Sequence, residues 1–461
     1  MNKRLLIIGL TCSAIISQTA AAAPSESQKL KFKLKTEFVL KPFGGIPFCV
    51  DLNDDGQTEV LWLQSAGMFQ SKVFDKSISK RADRTERDHF CLTASDASGN
   101  VLWQIGKPWQ GKRPFLTHGG ERNIDCADID ADGIKEVVCI RGDELLVINA
   151  KTGQVKRSVK LKADNAQIVV LGHTGPKPTD WTIMVKNPES SYKPHEYANP
   201  AWFYDNDLRF LKTADHHGSG HVPLALDTDS DGLDEFIIGY SLVDNDLRTV
   251  WTYHPTSADK WSSGEMHVDD HAVARFGGRL CIAYAASNLS ILLDAKDGSL
   301  IWRREGVHPQ HCQVGHFVPG DRNNAVFIRN KRSNNQLFDA HGKQLWKVDP
   351  PVNFPHGRPA ACERAFHVFD PTTLLPGAGP QKTDLLIYSD GGWPYAIDGY
   401  GKRYAEFPHT PNSKQDWGKV PGRPDDYGYG YYVRVADFDG DGENEVLIND
   451  RRFAWIYETL E

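Results

Sequence analysis

Short apolar runs separated by polar turns dominate the chain, and no long stretch keeps the 3.6-residue period of an amphipathic helix. Lys31-Phe32-Lys33-Leu34-Lys35-Thr36-Glu37-Phe38 alternates polar and apolar side chains, as an edge strand does. Elsewhere, pairs of strand-like runs flank a nine-residue pattern that occurs four times. The first copy runs from Asp51 through Asn53, Asp55 and Gly56 to Glu59, between Pro47-Phe48-Cys49-Val50 and Val60-Leu61-Trp62-Leu63. The others are Asp128, Asp130, Asp132 and Glu136; Asp227, Asp229, Asp231 and Glu235; and Asp437, Asp439, Asp441 and Glu445. Alternate oxygen ligands, a glycine for the sharp turn and a closing glutamate suit a hard cation, most simply Ca²⁺. The glutamate falls eight residues after the first aspartate, too early for an EF-hand, so the unit is strand, Ca²⁺ turn, strand.

A second unit recurs: a strand, a turn with Asp and Gly, then a strand ending in tryptophan. Examples end in Trp103, Trp302 and Trp346, with looser copies at Asn149–Gly153 and Asp398–Gly401. Stacking the two units gives four-stranded blades whose first strands are expected near 46–51, 123–128, 166–171, 221–227, 271–276, 311–317, 364–370 and 431–437. The expected fold is all-β: a single β-propeller of eight blades by motif count, seven if one unit is irregular. The last blade has three strands of its own, and the Lys31–Phe38 run is expected to close the ring as its fourth.

Composition then places the chain. Lys3 and Arg4, the apolar run Leu5–Ile16 and Ala20–Ala23 read as a signal peptide over 1–22, leaving 23–461 as the propeller and implying a secreted or periplasmic protein. No later segment is apolar enough for a membrane helix. Seven cysteines remain after the leader, an odd number at scattered spacing, which favours buried free thiols over a disulfide framework while leaving one or two bridges open. The formal charge of −7 becomes −9 without Lys3 and Arg4, and four bound Ca²⁺ would return it to about −1. The acidity therefore does not argue against an anionic partner.

In a propeller, the loops leading into first strands share a face with those leaving second strands, and the Ca²⁺ turns lie on the other. The first set is rich in histidine, arginine and tyrosine: His118, Arg122, His216, His217, His221, His267, His271, His308, His311 and His316. The second set adds Arg141, Lys186, Tyr192, His195, Tyr197, Tyr240, Tyr284, Arg329 and Trp393. Cations and rings on one face suit an anionic sugar polymer, guanidinium groups gripping carboxylate or sulfate and rings stacking on sugars. His308, His311 and Cys312, with His267 or His271, could also bind Zn²⁺, although the spacing matches no standard site. No phosphate loop, Gly-x-Ser-x-Gly elbow or His-Glu-x-x-His is present.

The Asp-x-Asp-x-Asp-Gly-x-x-Glu blades, the segment Gly220–Tyr240 and His308-Pro309-Gln310-His311 resemble bacterial propeller polysaccharide lyases, most nearly the ulvan lyases and more distantly the rhamnogalacturonan lyases. The resemblance spans most of the mature chain. It implies β-elimination at a uronate: a cation neutralises the carboxylate, a base removes the C5 proton and an acid protonates the leaving oxygen. By this resemblance His118 pairs with Tyr192 (Tyr197 as second choice) as base and acid. Arg141, His216 or His217 neutralises the carboxylate. Arg122, Lys186, His195, Tyr240, Tyr284, Arg329 and Trp393 line the substrate. A non-catalytic, calcium-stabilised carbohydrate-binding or adhesion propeller is the competing reading, and a rhamnogalacturonan lyase the enzymatic one. The expected partner is an anionic polysaccharide, with no nucleic acid or membrane and a monomeric chain.

Overall fold

A computed structural model describes residues 30–65, 89–110, 123–162, 166–187, 198–256, 267–321, 323–330, 334–348, 372–389, 392–414 and 431–460. Its strands form eight four-stranded antiparallel sheets, the blades of a propeller. In order, the first strands are Ile46–Val50, Ile124–Ala127, Ile168–His173, Leu224–Leu226, Val268–Phe276, Pro309–Gly315, Thr372–Leu375 and Tyr432–Ala436. The first strands of blades 2, 3 and 4 touch in succession, as do those of blades 5, 6, 7, 8 and 1, so they line the axis. The seventh begins at Thr372, later than expected; the run 364–370 lies outside the described residues.

Blade position explains the patterning. Second and third strands are covered on both sides by neighbouring blades and read as nearly continuous apolar runs, such as Glu59–Ser65 and Leu289–Asp294. Fourth strands face water and stay amphipathic, such as Val101–Gly106 and Gln344–Val348. The core is correspondingly divided into eight apolar clusters, one between each pair of adjacent blades. Between blades 8 and 1, for example, Leu40, Val60 and Trp62 pack on Phe438, Leu447 and Ile456.

The Asp/Gly turns and their tryptophans are clasps between blades. Trp103 of blade 1 donates its Nε1–H to Ala150 O of blade 2 at 2.7 Å. Trp251 reaches Ala295 O and Trp346 reaches Gly399 O in the same way, at 2.9 and 2.8 Å. The indole then lies flat against the turn glycine. At Gly298 (φ +69°) an added Cβ would stand 2.6 Å from the Trp251 ring, so both the left-handed backbone and the close approach require glycine.

The ring is closed by the N-terminal strand, as the alternation at 31–38 predicts. Lys31–Val39 pairs antiparallel with Phe453–Leu460, from Lys31 opposite Leu460 to Val39 opposite Phe453. All six described cysteines are free thiols. Burial pushes those of Cys49, Cys126 and Cys139 up to about 12, so they are inert packing groups. Among the described residues no helix is long and apolar enough to cross a membrane.

Candidate functional site

Three consecutive blades each send a histidine to one point at the ends of the axial strands, on the face opposite the Asp/Gly/Glu turns. His221 lies just upstream of Leu224–Leu226, His267 just before Val268–Phe276, and His308 just before Pro309–Gly315. Their Nε2 atoms surround Asp269 Oδ1 at 3.8, 3.4 and 3.8 Å. All four side chains are buried.

The backbone is shaped to bring them together. Gly218 O accepts from Val268 N at 3.0 Å, and His221 N donates to Val268 O at 2.9 Å, which sews the blade 4 loop onto blade 5 beside His267. Gly220 (φ +63°) presses so closely that a Cβ there would meet Val268 O at 1.7 Å. The register of Val268–Phe276 slips between Val268 and Asp270, and the extra residue is Asp269, whose carboxylate this bulge re-aims. His308 adopts φ +52°, an uncommon conformation for a non-glycine residue and one that clusters at functional sites. Behind the loop, the fully buried Lys186 donates to Gly220 O and, at 3.2 Å, to Asn187 O. Burial pushes its ammonium down to about 7.

This arrangement fits a metal ion. Tetrahedral ligands about 2.0–2.2 Å from zinc stand roughly 3.3–3.6 Å from one another. The His267–Asp269 distance of 3.4 Å matches such an edge, those of His221 and His308 at 3.8 Å are longer, and all three exceed the 2.7–2.9 Å of a charge-assisted hydrogen bond. Ligand atoms of His221, His267 and Asp269 lie within 4.8 Å of one another, a group that could hold a metal ion, with His308 beside it. Asp269 Oδ2 is buried and has no hydrogen-bond partner, which a cation on the carboxylate would offset. Burial holds His221 down to about 3, so its imidazole is neutral and has a lone pair to give. Burial alone would raise the Asp269 pKa, but the imidazoles of His267, His221 and His308 outweigh it and hold the carboxyl well below its usual range.

Of the four residues weighed for zinc from the sequence, His267 and His308 meet here, and His311 and Cys312 do not. They are adjacent on one strand and project to opposite sides. His311 Nδ1 faces Asp270 Oδ2 at 3.3 Å, and Cys312 Sγ points at Ala283 O in blade 5. Asp270 is itself a brace between blades, accepting from Cys312 N at 3.0 Å. Asp269 was not legible as a ligand, because a bulge leaves no trace in alternation. His221 was visible only as one histidine among several.

The other sequence-predicted residues separate by burial. Tyr240, Tyr284 and Trp393 are fully enclosed: the two tyrosines stack at 5.9 Å, and Trp393 donates to Phe407 O at 3.0 Å. Arg329 and Lys186 are buried as well. These five are packed inside: Lys186, Tyr284 and Arg329 are on the second strands of blades 3, 5 and 6, and Tyr240 and Trp393 lie between the second and third strands of blades 4 and 7. His217, half-buried, lies against the rings of Tyr240 and His254 at 5.9 and 5.3 Å. Arg141 ends the second strand of blade 2, and Glu144 holds its guanidinium through two contacts of 2.6 and 3.2 Å. His118, Arg122, Tyr192, His195 and Tyr197 lie outside the described residues.

His216 is buried, with its backbone clamped by Asn199, and burial holds its imidazole down to about 4. It is therefore neutral near pH 7 and cannot neutralise a carboxylate. Between pH 6.5 and about 4 the unfolded chain takes up a proton here that the folded chain refuses. The stability is full above pH 6.5 and is lost as pH falls toward 4, by up to about 3 kcal/mol. Urea denaturation at pH 7 and 4.5 should show a shallower pH dependence for His216→Gln than for wild type; equal dependence would mean that the ring titrates normally.

The four nine-residue turns lie on the far face, as the blade register requires. In blades 2, 4 and 8 the ligand oxygens of the first two aspartates and the glutamate stand within 4.8 Å of one another, so each group could hold a metal ion. The first aspartate is held by turn amides, as where Gly56, Gly133, Gly232 and Gly442 donate to Asp51, Asp128, Asp227 and Asp437 at 2.8–3.0 Å.

The molecule is thus an eight-bladed propeller with cation-binding geometry on both faces. No family model matches the chain, and no curated sequence does. Solved structures share the fold. The exotype rhamnogalacturonan lyase YesX aligns with a TM-score of 0.55 at 15% identity, over 90% of this chain and 71% of that one. The Bacillus licheniformis rhamnogalacturonan lyase aligns at 0.51 and 15%, with the same coverage. The V. cholerae biofilm matrix protein Bap1 aligns at 0.58 and 12%, over 94% of this chain and 91% of that one. At these identities the likeness is one of fold.

Proposed function

We propose that the protein is an exported polysaccharide lyase that cleaves a uronate-containing anionic polymer by β-elimination, with ulvan as the substrate favoured by the sequence resemblance. The observation that carries this reading is the fold shared with two rhamnogalacturonan lyases over 90% of the chain. His118 and Tyr192, with Tyr197 as the alternative, serve as base and acid. Arg141 or His217 neutralises the carboxylate, because His216 is uncharged. The C5–H proton passes to the base, the C4–O bond breaks as the C4=C5 bond forms, and the acid protonates the leaving oxygen.

The metals take structural places. His221, His267 and Asp269, with His308 beside them, would hold Zn²⁺, which takes imidazole and carboxylate ligands. Bound there, the ion supplies a fixed positive charge that pins the loops of blades 4, 5 and 6. The nine-residue turns, with oxygen donors only, would hold Ca²⁺. The leader at 1–22 would direct export.

The purified protein incubated with ulvan and with rhamnogalacturonan should raise the ultraviolet absorbance of unsaturated uronates, and Tyr192→Phe/Tyr197→Phe should remove that rise while leaving the melting temperature unchanged. A flat trace on every uronate polymer would end the lyase reading. The second reading, a matrix or adhesion propeller, is favoured by the alignment with Bap1 over 91% of its length. Retention of the protein on polymer without any absorbance change would select it.

A further inference from the structure

The four nine-residue turns are alike in sequence and unlike in what neutralises them. In blade 2, Lys156 Nζ lies among three carboxylates of the turn: Asp130 Oδ2 at 2.6 Å, Asp132 Oδ2 at 2.8 Å and Glu136 Oε1 at 2.8 Å. The other oxygen of Glu136 accepts from Ile129 N at 3.0 Å. In blade 8, Lys35 Nζ pairs with Asp439 Oδ2 and with Glu445 Oε1, the latter at 3.0 Å. Glu445 Oε2 accepts from Phe438 N at 2.8 Å. The ammonium thus meets the same alternate carboxylates and closing glutamate that would ligate a cation.

The two lysines hold equivalent places. Lys156 is on Val155–Lys160, the fourth strand of blade 2. Lys35 is on Lys31–Val39, which completes blade 8 as its fourth strand, and it sits where the register shifts between Leu34 and Thr36. The fourth strands of blades 1 and 4, Val101–Gly106 and Thr249–Thr252, carry no lysine. In blade 4 no described basic side chain forms an ion pair with Asp227, Asp229, Asp231 or Glu235; instead Glu235 Oε2 accepts from Thr228 N and Oγ1 at 2.8 and 2.5 Å. In blade 1, Lys135 reaches across from blade 2, but its hydrogen bonds go to the main-chain O of Asp51 and to the Asp54 carboxylate, not to the side-chain oxygens of Asp51, Asn53, Asp55 or Glu59.

We propose that Lys156 and Lys35 are tethered cations that take the metal's place in the turns of blades 2 and 8, so that these turns bind a divalent cation more weakly than the blade 4 turn. A Ca²⁺ ion entering blade 2 must expel an ammonium already satisfied by three carboxylates, and the site's net negative charge, which tunes calcium affinity, is lower by one. In blade 8 the same exchange would release Lys35, a residue of the strand that closes the ring. Loading that turn and latching the N-terminal strand therefore compete.

The inference rests on reading the turns as calcium turns, and one titration separates the two. Calorimetric titration of the calcium-depleted full chain with CaCl₂ should show a strong site in wild type that Asp229→Asn removes and Asp132→Asn leaves in place. Lys156→Met should tighten calcium binding at the blade 2 turn about tenfold or more, seen as an additional strong site. Loss of the strongest wild-type site in Asp132→Asn rather than Asp229→Asn would overturn the proposal without any lysine replacement. So would identical isotherms for wild type and Lys156→Met. No calcium uptake by any variant would remove the calcium reading itself, and the proposal with it.

Discussion

Replacing His267 by alanine is expected to empty the His221–His267–His308–Asp269 centre and to lower the melting temperature by about 4–5 °C. The size follows from linkage: a metal held at a thousand times its dissociation constant stabilises the folded state by about 4 kcal/mol. A chain of this length gains roughly 0.9 kcal/mol of unfolding free energy per degree near its midpoint, by the usual entropy per residue. Removing a donor from the buried group also takes away one of the imidazoles that hold the Asp269 carboxyl well below its usual range. With CaCl₂ kept saturating so that the nine-residue turns stay loaded, a zinc-selective chelator should lower the wild-type melting temperature by a similar amount to His267→Ala, and added Zn²⁺ should restore only the wild type. His341→Ala, an exposed histidine in the blade 6 turn, serves as the control that changes nothing. Metal analysis of the purified protein gives a second readout. If His267→Ala carries as much zinc as wild type, the centre is a buried hydrogen-bonded cluster and nothing more.

The buried centre also shows which part of the site was legible in the sequence. The repeated Asp/Gly/Glu turns gave the blade register, and the register put His221, His267 and His308 on one face. That inference needs only the two-residue period of strands and the alternation of loops from face to face. Which histidines meet is decided by features that carry no sequence signature: the bulge at Asp269, the left-handed backbone of His308 and the close seam at Gly220. The fold was legible almost throughout, because each blade buries both sides of its middle strands and leaves its fourth strand amphipathic. Tyr240, Tyr284, Trp393, Arg329 and Lys186, expected on the open face, are buried, for a related reason. They sit on second strands or just beyond them, packed between blades, and an aromatic or basic residue at a strand end reads the same whether it caps the core or faces solvent. The turn lysines are a different case. Lys156 and Lys35 are ordinary polar positions of outer strands by pattern, and their role appears only when the fourth strand is laid beside the turn.

Deleting residues 30–39 is expected to abolish the soluble monomer. The segment is the fourth strand of blade 8, and its loss uncovers the edge of Phe453–Leu460 along its whole length. An uncovered apolar edge strand is a template for pairing with other chains. The packing loss is comparable. Phe32 is buried and stacks on Phe407 at a centroid distance of 3.9 Å, and Leu34 packs on the cluster between blades 7 and 8. Phe38 meets Trp62 edge-on at 6.4 Å and covers the next cluster. Losing one such phenylalanine typically costs about 3–5 kcal/mol, and the ladder hydrogen bonds add roughly 1 kcal/mol each. The total therefore approaches or exceeds the 5–15 kcal/mol that holds a typical domain together. Size-exclusion chromatography of the truncated chain should show aggregate, and a synthetic peptide of residues 30–39 supplied during refolding should recover monomer by adding back the missing strand. Phe32→Ala gives the graded version, with a melting temperature lower by about 3–5 °C in an otherwise intact ring. A truncated chain that elutes as a monomer and melts with the full-length protein would mean that three strands of blade 8 suffice to close the ring.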